Sequence, residues 1–501
     1  MPLPVIIGLS TFAFVVLIAI LVVDDITQTK HAVRRVYPII GRLRYLVEKV
    51  GPELRQYIVT SDLEERPFTR SQRAWVYQTA KGVNSAVGFG TQHDVWKPGE
   101  YHFLPSPFAT LHEEAPHDPY LPVIGAERPR PYQVTSRINV APMSFGALSA
   151  AAVRALSYGA KQAGMYVNTG EGGMSPYHLE GGADLVFQIG PAKYGVRKAD
   201  GSLDLDRLRA IGQLEQVRAV EVKLGQGAKP GKGGILPGEK VTAEIATIRG
   251  IPEGQASISP NRFHEFKSVP ELMDFIALVK DTVPVPVGVK LAVGDGALVE
   301  EIADFIARHD AGPDYISIDG AEGGTGAAPV SLADHMGLPL HDAIVTVDNA
   351  LRRYGVRDRV ILIAAGRITT GAHAAYAIAL GADLVNVARG FMLSMGCIQA
   401  LKCHTNECPT GVATQSKWRQ RGLVPLEKAP RVANYAHAVQ EDLMTVVRSM
   451  GLVSASQLRR DHVEVVIEIG RTMRASDLYP YPPEVMVIGT QAIEEYVSSV
   501  A

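Results

Sequence analysis

The pattern of apolar and polar positions divides the chain into three textures. From Pro4 to Val23 the residues PVIIGLSTFAFVVLIAILVV carry no charge, and a run of that length can cross a bilayer as a single helix. It starts almost at Met1 and ends in Asp24 and Asp25, without the positive leader and small-residue cleavage site of a secretory signal. Residues 1–23 are therefore expected to be a retained transmembrane anchor. Arg34, Arg35, Arg42, Arg44 and Lys49 follow the run, so the positive-inside rule puts the rest of the chain in the cytoplasm. A buried core helix is the alternative reading of the same residues.

Residues 24–130 form the second texture, mixed and without a clear period apart from a helix-like stretch from His31 to Val50. His93, His102, His112 and His117 lack tight ligand spacing and read as surface or core histidines. This segment is expected to be an extension that packs on the domain after it. The third texture begins after Arg130, where short β-branched runs alternate with helical segments, the signature of parallel βα units. Eight strands are expected: Ile138 to Ala141, Met165 to Thr169, Leu185 to Ile189, Ala219 to Leu224, Val287 to Leu291, Tyr315 to Asp319, Val360 to Ala364 and Leu384 to Ala388. They predict an α/β fold, a (β/α)8 barrel over residues 131–415 with its functional loops at the C-terminal strand ends. Residues 416–501 read as a helical C-terminal extension, entered through a loop from Trp418 to Pro430.

The loops that follow the strands are the Gly-rich ones: EGG after the second, GQGAKPGKGG after the fourth, GAEGGTG after the sixth, AGRITTG after the seventh and RG after the eighth. Glycine there lets backbone N–H groups approach an anion, and the seventh and eighth loops are the usual phosphate grip of this fold. With Lys223, Lys229, Lys290, Arg367 and Arg389 nearby in sequence, a phosphorylated ligand is expected. Tight turns alone would explain two or three such loops.

Composition adds little beyond excluding other classes. With 46% hydrophobic and 20% charged residues the chain can bury a large core. Its 50 Lys and Arg against 52 Asp and Glu create no basic field for nucleic acid. The cysteines say more. All three, Cys397, Cys403 and Cys408, lie between Gly396 and Gln415. Their offsets do not suit a zinc finger or ribbon even if His404 joins them. Three thiolates without a fourth suit a three-iron cluster with one cysteine on each iron; unrelated buried thiols are the bland alternative. Reduced thiols agree with a cytoplasmic location.

Several long motifs occur together in one order: APMSFGALS (Ala141 to Ser149), NTGEGG (Asn168 to Gly173), KLGQGAKPGKGGILPGEKV (Lys223 to Val241), VKLAVGDG (Val289 to Gly296), GGTGA (Gly323 to Ala327) and CxxxxxCHxNxCPxGVATQ. From Arg137 to Gly451 the chain resembles the central FMN domain of glutamate synthase. The resemblance implies an FMN-binding TIM barrel with a 3Fe-4S cluster on Cys397, Cys403 and Cys408 in loop 396–411. It implies a hydride from FMN to the imine of 2-oxoglutarate, or a related 2-oxo acid, and ammonia or an amine donor. Pro142, Met143, Ser144 and Thr169 are then expected beside the flavin ring, Lys290 at its N1 edge, and Lys223 against flavin or substrate. Gly323, Gly324, Thr325, Gly366, Arg367, Arg389 and Gly390 would hold the phosphate end. Lys229 and Arg249 would grip the acid with Gln226 nearby, and Glu171, which has no salt-bridge partner close in sequence, would manage the imine proton.

The family carries Gln, Glu and a Pro-Pro-Pro-His-His run where this chain has Ile235, Met174 and Pro260 to His264, which opens the choice of 2-oxo acid. Neither a glutaminase domain nor a dinucleotide fingerprint is recognisable, so ammonia is expected from solution or a partner and electrons from ferredoxin or a reductase subunit. A homo-oligomer is compatible with the sequence. Two other functions fit the same motifs: oxidation of an amine or 2-hydroxy acid with electrons passed to a membrane acceptor, and a non-catalytic electron relay.

Overall fold

Eight parallel strands close into a barrel: β1 (Ile138–Val140), β2 (Tyr166–Asn168), β3 (Asp184–Ile189), β4 (Val217–Lys223), β5 (Val287–Leu291), β6 (Tyr315–Asp319), β7 (Ile361–Ala365) and β8 (Leu384–Val387). Each pairs with its sequence neighbours, and β8 returns to β1 through Val385 opposite Ile138. All eight lie where the β-branched runs placed them, with ends shifted by a residue or two. The computed structural model describes residues 2–83 and 86–483, and the chain divides into two units, Met1–Arg73 and Ala74–Ala501. The final part of the expected C-terminal extension, 484–501, lies outside the described residues.

Both faces of each strand are buried, β5 and β6 along their whole length, so near-continuous apolar runs were needed there. The N-terminal mouth is plugged by a two-stranded ribbon, Val123–Ile124 with Tyr132–Gln133. Ile124, Tyr132 and Val134 from this ribbon pack with Tyr166, Val186, Ala219, Tyr315, Ile363 and Leu384 from the lower parts of the strands. That apolar floor seals one end and leaves the other for chemistry. Above it the lumen becomes polar: Glu221 accepts hydrogen bonds from Asn168 Nδ2 at 2.9 Å and Gln188 Nε2 at 2.6 Å.

The helices Ala150–Ala163, Ala297–His309, Leu340–Arg353 and Gly371–Leu380 follow β1, β5, β6 and β7. Helix Pro425–Ser449 packs between Gly371–Leu380 and Ala150–Ala163 and completes the outer ring. The expected loop through Pro430 is corrected here: the helix starts at Pro425, whose fixed φ suits the first helical position, and Pro430 lies inside it. Gly159 makes its seat on Ala150–Ala163 close, since a Cβ there would lie 2.5 Å from Val432 Cβ. Residues Tyr101–Phe103 pair antiparallel with Val463–Glu468, tying the segment before the barrel to the segment after it. Arg460, fully buried, donates to Asp348 Oδ2 at 2.7 Å and Asn349 Oδ1 at 2.9 Å, fixing the C-terminal segment on helix Leu340–Arg353.

In the unit Met1–Arg73, the apolar run is one helix, Leu3–Thr27, of mean hydropathy 3.0 and with no buried residue in its apolar window. By length and composition it can cross a membrane. Asp25 at its end is buried and accepts from Arg34 Nε at 2.7 Å, Arg42 Nε at 2.9 Å and the Ile39 N–H at 2.8 Å.

Candidate functional site

The C-terminal ends of the strands open into one cavity with about 1120 Å³ of empty space. Its lining gathers most of the residues expected from the sequence: Pro142, Met143 and Ser144 after β1; Glu171 after β2; Lys223 at the end of β4 with Gln226 and Lys229 beyond it; Arg249; Lys290 on β5; Gly324 and Thr325 after β6; Arg389 after β8; and Cys403. Thr169, Gly323, Gly366, Arg367, Gly390, Cys397 and Cys408 are not in that lining. Thr169 serves the backbone instead, donating to Gly170 O at 3.1 Å and accepting the Gln188 N–H at 3.1 Å.

Glu171 has no ion-pair partner close in sequence, and its partner comes from the end of β4, distant in sequence. Lys223 Nζ donates to Glu171 Oε1 at 2.6 Å and to Gln226 Oε1 at 2.7 Å. Burial works against the Glu171 charge, but Lys223, Lys229 and Arg249 outweigh it and hold the carboxyl below its ordinary range. Space for the carboxylate is made by glycine: a Cβ on Gly190 would lie 2.5 Å from Glu171 Oε2, and one on Gly234 2.4 Å from Oε1. Gly190 after β3 and Gly234 of the GKGG motif therefore shape the slot that holds the Glu171 carboxylate.

Lys290 is paired too, 3.0 Å from Asp319 Oδ2, which also accepts the Gly227 N–H at 3.0 Å. Asp319 was not singled out from the sequence, although a carboxylate closing a barrel strand is where this fold keeps functional groups. Gln188, at the end of β3, was missed for the same reason. Lys229 is 2% exposed, donates to Ala327 O at 2.9 Å, and is brought down to about 8 by burial and by Lys223. Arg249 is 5% exposed and reaches Ser257 Oγ at 3.1 Å and Phe145 O at 3.3 Å. Its Nε is buried with no hydrogen-bond partner among the described residues. Arg389 donates to Glu322 O at 2.5 Å, and burial with the neighbouring Arg367 brings it down to about 10.

Leaving Arg389 aside, four cationic side chains in the lining, Lys223, Lys229, Arg249 and Lys290, face two carboxylates, Glu171 and Asp319. A surplus of two positive charges in a largely buried cavity is costly unless an anion enters it. The rest of the lining includes apolar side chains, Met143, Ala147, Leu148, Ile235, Leu236 and Met392. Cations together with apolar side chains suit a ligand with an anionic end and a hydrophobic body.

The cysteine loop abuts the cavity through Cys403. Gln399, Leu401 and Asn406 take left-handed backbone angles, φ 57°, 55° and 59°, a concentration of strained residues that marks functional loops. Against burial, the Thr410 hydroxyl and the N–H groups of Ala413, Thr410 and Val412 hold the Cys408 thiol below its ordinary value. Burial and the nearby Cys408 push Cys403 up, with Lys240 opposing. Lys240, buried, donates to the carbonyls of Ala147 at 2.8 Å, Ala413 at 3.2 Å and Cys403 at 3.3 Å. Among the described residues no three Cys, His, Asp or Glu side chains converge as ligands of one ion. A cluster with one iron per cysteine needs more widely spaced sulfurs, and N–H donors plus a buried cation around thiolates fit that group.

Fold and cavity together define a (β/α)8 barrel whose open end gathers cationic side chains beside a cysteine loop. Comparison with known proteins narrows the class: the family described as "conserved region in glutamate synthase" matches residues 102–453, and the chain belongs to that family. It is 40% identical over 501 aligned residues to the glutamate synthase large subunit-like protein YerD of Bacillus subtilis, covering 93% of this chain and 95% of that one. It is 39% identical over 325 residues to the archaeal glutamate synthase [NADPH] of Methanocaldococcus jannaschii, covering 64% of this chain and 60% of that one. With the ferredoxin-dependent glutamate synthase of Cyanidium caldarium it shares 34% identity over 343 residues, 65% of this chain and 22% of that one.

Proposed function

We propose that this protein is an FMN- and iron-sulfur-dependent oxidoreductase of the glutamate synthase type, which reduces the imine of 2-oxoglutarate, or a related 2-oxo acid, and ammonia to the amino acid. The observation that carries the reading is the cavity at the functional end of the barrel, where Lys223, Lys229, Arg249 and Lys290 outnumber Glu171 and Asp319 among apolar side chains. FMN bound there would supply the hydride, and a 3Fe-4S cluster on Cys397, Cys403 and Cys408 one-electron transfer from an external donor such as ferredoxin or a reductase subunit.

The chain's own residues take the remaining tasks. Lys229 and Arg249 bind the carboxylates of the acid, and the unpartnered Nε of Arg249 is a donor that a ligand oxygen can satisfy. Glu171, ionised, faces the N–H of the imine with a carboxylate oxygen and takes up the proton released there, with Lys223 fixing its position at 2.6 Å and Gln226 fixing Lys223. Lys290 and Asp319 keep the centre of the cavity polar, Pro142, Met143 and Ser144 bound the flavin edge, and Gly324, Thr325 and Arg389 face the phosphate, backed by Gly366, Arg367 and Gly390. Ile235 in the lining favours an acid whose far end is less polar than that of 2-oxoglutarate. The helix Leu3–Thr27 anchors the protein with the barrel in the cytoplasm.

Purified protein supplied with a low-potential chemical reductant, ammonium and a panel of 2-oxo acids should release one amino acid, identified by mass, together with FMN on denaturation. Protein that holds FMN and reduces no oxo acid in the panel would overturn the reading.

A further inference from the structure

Next to the membrane-compatible helix stands a second helix whose apolar face is left exposed among the described residues. Helix Ile40–Leu54 carries Ile40, Leu43, Leu46, Val47, Val50 and Leu54, which at 100° per residue fall within an arc of about 120°. These six side chains are 42–75% exposed. The opposite side is engaged within its own unit: the Tyr45 ring lies 4.6 Å from that of His31, and Arg44 pairs with Glu48 at 2.8 Å.

The position of this helix is set by ions. Asp24 and Asp25, at the end of Leu3–Thr27, hold Arg34 and Arg42, and Arg42 lies in the first turn of Ile40–Leu54. Arg42 also reaches the Leu21 carbonyl at 3.4 Å. The second helix thus starts where the first one ends. At 1.5 Å per residue the 25-residue helix Leu3–Thr27 is about 38 Å long, somewhat more than the roughly 30 Å of hydrocarbon it would cross. Its end, and with it the start of Ile40–Leu54, then falls at the headgroup level.

We infer that helix Ile40–Leu54 lies in the interface of an anionic bilayer, its apolar arc in the acyl boundary and Arg35, Arg44 and Lys49 toward the headgroups. Three observations select a lipid surface over a second copy of the chain. The stripe continues from a membrane-spanning length of apolar helix, its flanks are basic, and its Asp25 clamp consumes Arg34 and Arg42 while Arg35 and Lys49 enter no ion pair among the described residues. Amphipathic helices of this make bind by buried apolar area plus attraction to anionic lipid. The inference rests on the anchoring proposed above.

The test uses the full chain in nanodiscs of anionic lipid, with a photoreactive benzophenone side chain at Leu46 or, on the opposite face, at Glu48. Lipid adducts from position 46 and several-fold fewer from position 48 are expected, with the yield at 46 reduced when zwitterionic lipid replaces anionic lipid. Covalent dimers from position 46 would overturn the inference in favour of self-association, and equal lipid yields at the two positions, or none at either, would overturn it outright. Carbonate extraction of native membranes reads anchoring separately. Chain released by carbonate that still labels lipid from position 46 would refute the anchor and keep the interfacial helix.

Discussion

Replacing Lys223 by Met isolates the ion pair at the centre of the cavity. The methionine keeps the volume of the stem and removes the charge that lies 2.6 Å from Glu171. The carboxylate stays in its slot between Gly190 and Gly234, buried and short of its nearest counter-charge. Breaking a buried pair in this way costs about 3–5 kcal/mol. Glu171 can escape that cost by taking a proton, which requires about 1.4 kcal/mol for each pH unit above its unfolded value near 4.3. At pH 8 the escape costs roughly 5 kcal/mol, so nearly the full 3–5 kcal/mol is lost; at pH 5 it costs roughly 1 kcal/mol, which caps the loss there. In the native protein the lowered Glu171 contributes stability that is present above its unfolded value and fades as pH falls through the folded one. The variant reverses this sign. With about 2 cal/mol/K per residue, the unit Ala74–Ala501 unfolds with an entropy of about 0.9 kcal/mol/K. The expected fall in Tm is then about 3–5 °C at pH 8 and about 1 °C at pH 5 by scanning calorimetry, each against the parent at the same pH. An equal fall at both pH values would refute the charged, paired state of Glu171.

Lys229, brought down to about 8, carries its charge below that pH and loses it above, so KM for the oxo acid should rise about tenfold per unit above pH 8 while kcat stays level; Lys229→Ala should raise KM at pH 7, flatten this profile and leave FMN content unchanged, and loss of FMN would show the wrong ligand was assigned. Cys403→Ser should abolish the electron paramagnetic resonance signal of the oxidised cluster, and an intact signal would sink the ligand assignment. Gly159→Ala pushes a methyl to 2.5 Å from Val432 Cβ and 2.6 Å from the Ala429 carbonyl, so it should cost about 1–3 kcal/mol in overpacking, read as a lower Tm with unchanged activity per folded molecule; an unchanged Tm would mean the helices separate freely there.

The barrel was legible because each parallel strand, buried on both faces, must be written as a near-continuous apolar run, and five of the eight runs end in a Gly-rich loop. The connection between β4 and β5 was not. Its ribbon, Ile235–Leu236 with Ser257–Ile258, has two residues per strand, too few to show a period, yet it carries Gly234 and Ile235 into the cavity. The pairing of Glu171 with Lys223 spans 52 residues of sequence, and no local pattern announces it; only closure of the barrel brings the loops after β2 and β4 together. Asp319 was within reach of sequence reasoning, since the strand ends were already placed. The start of Pro425–Ser449 was obscured by Pro430, which reads as a breaker but is held in place by packing against Ala150–Ala163 and Gly371–Leu380. The plug at the barrel floor was also hidden, because Val123–Ile124 and Tyr132–Gln133 are as short as the other ribbon.

The cavity's charge has a consequence for order of binding. A surplus of positive charge in the lining favours entry of the ligand with the larger anionic charge, and each anion that enters lowers the attraction for the next. FMN, with its phosphate, is thus expected to bind before the acid and to remain when the acid leaves.

The central claim is most directly tested anaerobically: reduce the purified protein and follow flavin absorbance on adding 2-oxoglutarate with ammonium, each alone, and less polar 2-oxo acids with ammonium. Reoxidation that requires both an oxo acid and ammonium, with the matching amino acid formed, is the predicted result. Flavin that stays reduced with every pair, in protein shown to hold FMN and its cluster, would contradict the account.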